Sequence, residues 1–350
     1  MFKLTGGLAS FVKPGMSVLV KPNLLSDRTP ERAVTTHPEV VRAVIREVKS
    51  CRARPFIADS PSHAVKLERV WRETGMGSVA EQENIPLVSL EKEGVKTVEH
   101  QDYTFRLARP VLDADFIINI PKVKTHVLTR LTAAVKNTYG FLPGYQKTRL
   151  HAVYPTPTEF GNMLRALCSA VGPGLNIADG IIAMEGKGPS GGSPVTLGLL
   201  AVSSDAQALD TVLCRVLGIS PGTVPYLARQ SPYDSVKTTG SSLEDLQPDC
   251  FALPPSLPRR LIPGALVRLI SPLVWIRPRL TGHCVECGRC MEACPVGALT
   301  LPSMPREAHG PEIDSSKCIG CCCCTEVCPE NALTMTRSPL LKLGGLLKMQ

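Results

Sequence analysis

The sequence predicts an α/β protein built on a mostly parallel sheet, followed by a small C-terminal α+β domain. Three observations carry that expectation. Short apolar runs alternate with amphipathic helical patterns through residues 1–225, the order that produces parallel sheets. Of the 14 cysteines, ten lie between Cys284 and Cys328. Eight of those ten fall in two copies of one spaced pattern, the second 34 residues after the first.

The first strand is expected at Ser17–Val20, ending at Lys21-Pro22-Asn23. A helix follows: Thr36 or His37 can cap it, Pro38 suits its first turn and Glu39 complements its dipole. Val40, Val41, Val44, Ile45 and Val48 then form one apolar stripe. Further strands are expected at Pro55–Ala58, Phe116–Ile120, Leu175–Ala178 and Val195–Val202, with helices over Thr129–Tyr139 and Ala206–Leu217.

In parallel sheets, ligand sites lie beyond the carboxyl ends of the strands. Here those ends carry Lys21 and Asn23, Asp59 and Ser60, Lys122 to His126, and Asp179. If the strands are parallel, these groups share one rim, which makes them candidate substrate-binding residues. In an extended Pro121–His126 stretch, alternation puts Lys122, Lys124 and His126 on one face, where they would attract a carboxylate or phosphate. The ordinary alternative is a solvated basic loop. Lys136 and Asn137 join this set as binding candidates. Lys124 and His126 are candidate proton donors, and Glu185 is a candidate acid or base. The segment Met184–Gly192 is glycine-rich but has neither the P-loop order nor a G-x-G-x-x-G turn opening a helix. It reads either as an anion-binding loop or as a plain flexible one.

Residues 284–295 and 318–329 each contain C-x2-C-x2-C-x3-C-P, the spacing of bacterial two-cluster ferredoxins. Glu292, Ala298, Leu299 and Thr300 recur as Glu326, Ala332, Leu333 and Thr334, so the block is an internal duplication. Three cysteines two residues apart wrap one face of a cubane, and the fourth ligates the opposite cluster. The expected ligands are Cys284, Cys287, Cys290 and Cys328 for one [4Fe–4S] cluster. Cys318, Cys321, Cys324 and Cys294 are those of the other. Zinc is the competing reading of C-x2-C pairs, but it does not require this ordered set twice over. Cys322 and Cys323 are extra: they either point away from the cluster or supply an alternative ligand or reactive thiol. Cys51, Cys168, Cys214 and Cys250 read as structural.

The chain divides into an α/β domain (1–225), a Pro-rich linker or docking segment (226–280), a ferredoxin-like domain (281–336) and a basic apolar tail (337–350). The 350 residues are 43% hydrophobic, enough for an ordinary core and against disorder. The formal net charge is +8, and residues from 281 onward contribute −1, leaving +9 on the rest. Each oxidised cluster with its thiolates adds roughly −2, so an acidic cofactor end is tethered to a basic body. That body favours anionic partners, whereas no nucleic-acid recognition motif accompanies its dispersed charge. Arg259–Leu280 and Leu340–Met349 mix basic and apolar residues; they dock between domains or, in the second reading, lie on a membrane surface. No secretory leader or membrane span is legible, and a reducing cytoplasm is the expected location.

Several segments together resemble domain-of-unknown-function family number 362. They are Lys21-Pro22-Asn23, Thr36–Val40, Ile57–Pro61, Pro121–His126, Val135-Lys136-Asn137 and Met184–Pro189. The resemblance covers roughly residues 15–225 plus the cysteine block, and members often carry a C-terminal two-cluster domain. It implies the architecture but no reaction. Three functions are in play: a redox enzyme reducing an anionic small molecule, an electron carrier or adaptor docking a redox partner protein, and a non-redox enzyme with structural or sensory clusters. No flavin or nicotinamide site is evident, so electrons are expected from a partner protein.

Overall fold

The computed structural model describes residues 2–227, 236–248, 250–254, 275–301 and 310–339. The basic apolar stretch noted at Arg259–Leu280 therefore lies outside the described residues up to 274, and so does the tail at 340–350.

The N-terminal body is an eight-stranded sheet. Its first strands are β1 (Ser17–Pro22), β2 (Arg54–Asp59) and β3 (Leu87–Ser89), followed by a separate hairpin of β4 (Val95–His100) and β5 (Tyr103–Ala108). The sheet resumes with β6 (Phe116–Ile120), β7 (Lys122–His126), β8 (Arg130–Thr132), β9 (Leu175–Glu185) and β10 (Ser193–Ser203). The order is β3-β2-β1-β6-β9-β7-β8, with β10 also on β9. Pairings among β1, β2, β3, β6 and β9 are parallel, as the alternating pattern predicts. Only the β9–β10 and β7–β8 pairings are antiparallel among the described strands of this sheet.

Strand alternation feeds two cores. Val18, Val20, Ile57, Ile118 and Ile177 enter one, whereas Leu19, Ala58, Ile117 and Ala178 enter the other. The first core is covered by α1 (Pro38–Ser50), α2 (Leu67–Glu73) and α3 (Met76–Gln82). All five residues of the expected α1 stripe are buried, and His37 Nδ1 caps the helix by accepting from Glu39 N at 3.2 Å. The second core is covered by α4 (Arg109–Asp113), α5 (Ala134–Asn137), α6 (Gln146–Val153), α7 (Pro157–Val171) and α8 (Ala206–Val216). A capping box between Thr156 and Glu159 starts α7.

Two local expectations change. The Lys122–His126 stretch is a strand in its own right. Because β10 occupies one edge of β9 along its length, β6 and β7 both lie on the other edge, with Pro121 between them. The helical pattern at Thr129–Tyr139 gives way to β8, then α5 and a 3-10 turn. Arg130, at φ 65°, turns the chain back along β7, so sheet pairing overrides local propensity. α5 begins where Asp210 of α8 accepts from Ala134 N at 2.7 Å and Val135 N at 2.9 Å.

The C-terminal domain holds β11 (Ile276–Leu280), α9 (Arg289–Glu292), β12 (Leu299–Thr300), β13 (Glu312–Ile313), α10 (Cys323–Glu326) and β14 (Leu333–Arg337). β11 falls at the end of the segment read as linker, yet it pairs with β14 and belongs to this domain. The duplication extends to the backbone. Glu286 and Gly320 (φ 53° and 68°), Gly288 and Cys322 (75° and 73°), and Gly297 and Asn331 (60° and 51°) are matched left-handed positions.

Asp210 is fully buried, and its removal would orphan two buried N–H groups. Asp210→Ala should lower stability by about 1–3 kcal/mol, and Asp210→Asn, which keeps one acceptor, by less. Urea denaturation followed by circular dichroism measures both.

Candidate functional site

The carboxyl ends of β1 and β2 meet through an ion pair. Lys21 Nζ lies 2.8 Å from Asp59 Oδ1 and 5.3 Å from the centre of the Phe141 ring. Asp59 Oδ2 also accepts from Leu24 N at 2.7 Å. The backbone of Gly140 passes so close that a Cβ there would meet Asp59 Oδ1 at 2.1 Å. Beside this pair, Lys147 of α6 donates to Ser60 O, Ser60 Oγ and Pro61 O, all uncharged oxygens.

Lys124 is fully buried and has no carboxylate partner; Nζ donates to Asn23 Oδ1 at 2.9 Å and to Val34 O. Asn23 Nδ2 donates to Asn137 Oδ1, and Asn137 Nδ2 to Asn119 Oδ1, each at 2.8 Å. Asn119 Nδ2 donates to Asn176 Oδ1 at 2.8 Å, and Asn176 Nδ2 to Ser203 O at 3.4 Å. The amide orientations follow from this network. Four side-chain amides thus run in one direction from the ammonium across β6 and β9 to the end of β10. Burial, then the neighbouring Lys136 cation, lowers the Lys124 pKa to about 7.

Lys124 and His126 face a cavity together with Lys21, Lys136 and Lys147. Lys136 sits over the rings of Tyr139 and Phe160, 5.5 and 5.8 Å from their centres. Among the described residues it has no hydrogen-bond or ion-pair partner. His151 also lines the space, and burial pushes its pKa down to about 3. Asn23, Asp59, Ser60 and Asn137 complete the set of predicted residues brought together here. Lys122, Asp179 and Glu185 are not among them. Lys122 Nζ is 2.9 Å from Asp179 Oδ2, which also accepts from His37 N at the start of α1, and a register irregularity separates Lys122 from Lys124. Glu185 accepts from Ala252 N at 2.7 Å.

The C-terminal domain closes the cavity. Cys323, Glu326 and Ala293 form part of its wall. Glu326 Oε1 lies 3.2 Å from His126 Nε2. His126 Nδ1 accepts from Leu128 N at 3.0 Å, so Nε2 carries the proton. Burial and the Lys136 cation lower the His126 pKa to about 4, leaving a neutral imidazole whose Nε2 faces a carboxylate near neutral pH. His63 bridges Thr148 Oγ1 and Glu292 O at 3.1 and 2.9 Å. Arg289 makes a forked contact to Asp27, which also pairs with Arg69. The glycine-rich loop has a docking role: Ser190 Oγ donates to Glu326 O at 2.8 Å. A Cβ at Gly188 would meet Thr125 O at 2.1 Å.

Within the domain the cysteines surround two further spaces. Cys284, Cys287, Cys290 and Cys328 line one, and Cys294, Cys318, Cys321 and Cys324 line the other. These are the two expected ligand sets, including the exchange of the fourth cysteine. Ala298 N donates to Cys294 Sγ and Ala332 N to Cys328 Sγ, both at 3.2 Å. Such bonds stabilise thiolate ligands, so these residues fit iron–sulfur clusters. Of the extra cysteines, Cys322 lines the second space and Cys323 lines the large cavity.

Residues 18–215 match the family described as domain of unknown function (DUF362). This chain belongs to the DUF362 family. Residues 283–332 of this DUF362 protein match a 4Fe-4S dicluster domain, so it is an iron–sulfur protein. Thylakoid-associated protein sll1697 of Synechocystis sp. is 39% identical over 226 residues, covering 64% of this chain and 70% of that protein. The lactate racemase apoprotein from Thermoanaerobacterium thermosaccharolyticum superposes with a TM-score of 0.40 at 13% identity, over 59% of this chain and 50% of the racemase chain. No helix among the described residues is long and apolar enough to cross a membrane.

Sequence reasoning missed His63, Lys147, His151, Asn119 and Asn176. Lys147 and His151 are four residues apart on α6, a spacing that puts both on one helix face. The two asparagines stood inside strands otherwise apolar in sequence, which was the available signal. Asn119→Leu should break the amide chain and leave buried polar groups unpaired, lowering stability by about 2 kcal/mol or more. Thermal unfolding with parallel iron analysis measures it, and iron content should be unchanged.

Proposed function

We propose that this DUF362 protein is an oxidoreductase that reduces an anionic small molecule in the cavity between its two domains. Cys284, Cys287, Cys290 and Cys328 hold one [4Fe–4S] cluster, and Cys294, Cys318, Cys321 and Cys324 hold a second. When bound, these clusters supply electrons one at a time. The single observation that supports the reading is the shared wall. Cys323 lines the lysine-ringed cavity, while Cys321 and Cys324, on either side of it, line the second cysteine space. A molecule held by the lysines therefore rests against the cluster-binding helix itself.

The lining holds Lys21, Lys124, Lys136 and Lys147 against only Asp59 and Glu326 as carboxylates. Two ammonium groups are thus left without a counter-charge, which suits a ligand carrying two negative charges. Lys136 anchors that ligand, since its three donors are uncommitted among the described residues. Lys124, with a pKa of about 7, is matched to giving a proton to the reduced product at neutral pH. The glutamate at 326 holds the His126 ring in place. Cys287 is exposed and Val285 is 49% exposed, so a partner protein delivering electrons approaches there.

The test is anaerobic reoxidation of the reduced, full-length protein by small-molecule extract, with absorbance reporting electrons and mass spectrometry reporting product. One new product, lost in Lys124→Ala with iron retained, is the expected result. Reoxidation by the protein fraction alone would favour the carrier reading.

Two further outcomes follow from the geometry. Lys124 is an ammonium below its pKa of about 7 and neutral above it. Anion affinity should therefore fall as pH rises through about 7, and this step should flatten in Lys124→Met; calorimetric titration with inorganic phosphate reads both. Cys290→Ser should lose roughly half the bound iron, measured by iron and sulfide analysis.

A further inference from the structure

We propose that Arg28 sets the reduction potential of the cluster held by Cys284, Cys287, Cys290 and Cys328, and so distinguishes it from its pseudo-equivalent neighbour. This rests on the two-cluster assignment above, but not on the identity of any substrate.

Arg28 lies on the loop that leaves β1, a few residues beyond Asn23 and Leu24 of the cavity wall. Its guanidinium crosses to the other domain and donates to Cys328 O and Pro329 O, and to Asn331 Oδ1 at 3.1 Å. Cys328 is a ligand in the assignment, and its Sγ accepts from Ala332 N. The fork is therefore anchored to the backbone that carries one ligand sulfur.

The duplication supplies an internal control. The matching positions in the first repeat are Cys294, Pro295 and Gly297, and Ala298 N donates to Cys294 Sγ just as Ala332 N does to Cys328 Sγ. Among the described residues no side chain hydrogen-bonds the carbonyl of Cys294 or Pro295. The two loops thus share backbone shape and sulfur bonding but differ in the bound Arg28, besides Glu330 and Asn331 standing where the first repeat has Val296 and Gly297. Nearby charges do not cancel it. Asp27 is committed to Arg69 and Arg289, Arg32 adds positive charge, and Glu330 is exposed. Burial lowers the Arg28 pKa, but a guanidinium remains charged throughout the working pH range.

The sign follows from charge. Reduction adds one negative charge to a cluster, and a fixed cation in a partly buried setting stabilises the reduced state more than the oxidised one. Arg28 therefore raises the potential of its own cluster. Arg28 acts as a positioning residue, through the charge and hydrogen bonds that it brings to the Cys328 loop.

The experiment is a potentiometric titration of the full chain monitored by electron paramagnetic resonance. Iron and sulfide are counted first: about eight irons per chain are expected, and about four would sink the two-cluster assignment and this proposal with it. In Arg28→Gln one midpoint should fall while the other stays. A tenfold change in electron sharing between the clusters, about 59 mV for one electron, is the expected size. Arg28→Lys, which keeps the charge, should hold that midpoint near the parent value. Unchanged midpoints in Arg28→Gln, equal movement of both, or Arg28→Lys behaving like Arg28→Gln would each overturn the proposal. Should Arg28→Gln fail to hold iron, Asn331→Gly removes one acceptor and installs the residue that the first repeat has there. The same midpoint should then fall by less, and a pair of unchanged midpoints overturns the proposal.

Discussion

A buried ammonium without a carboxylate is the constraint around which the site is arranged. Lys124 has been taken out of water, and an unpaired buried charge is costly. What solvates it is a row of amide dipoles, Asn23, Asn137, Asn119 and Asn176, each donating to the next. Aligned hydrogen bonds polarise one another in a low dielectric, so the oxygen facing Lys124 is a better acceptor than a lone amide. The row also explains why β6 and β9 must be neighbours, because Asn119 and Asn176 meet across that pairing. A carboxylate in place of Asn23 would neutralise the charge and remove its use to an anion.

Among the described residues the two domains meet through polar contacts around a small apolar patch of Ala64, Ala293, Cys323 and Val327. His63 reaches the helix of the first repeat and His126 the helix of the second. The duplicated domain therefore presents equivalent helices, α9 and α10, to one rim, and Glu292 and Glu326 serve differently. The first offers its backbone carbonyl, and the second its carboxylate as well.

The parallel order, the helix at Pro38 and the paired cysteine sets were legible because each depends on local spacing. Strand ends carrying Lys21, Asn23, Asp59 and Lys124 were legible for the same reason. Their company was not. Lys147 and His151 come from a helix that is polar on more than one side, and Glu326 comes from the other domain, so only the folded chain brings them to the rim. Lys122 obeyed the same alternation as Lys124, yet Asp179 draws it into an ion pair away from the cavity. The β8 turn was hidden because Thr129–Tyr139 has helix-compatible residues, and pairing with β7 decides its shape. Glu185 was plausible by chemistry alone, and its position at the far end of the long β9 sets it apart.

The cavity has a consequence for biosynthesis. Its floor is encoded before its roof: every strand of the large sheet leaves the ribosome before Cys284 does. A cluster-binding loop does not hold its shape until its thiolates have a metal group to bind. The lysine ring is thus enclosed only once the C-terminal domain, made after the whole sheet, brings Ala293, Cys323 and Glu326 against it.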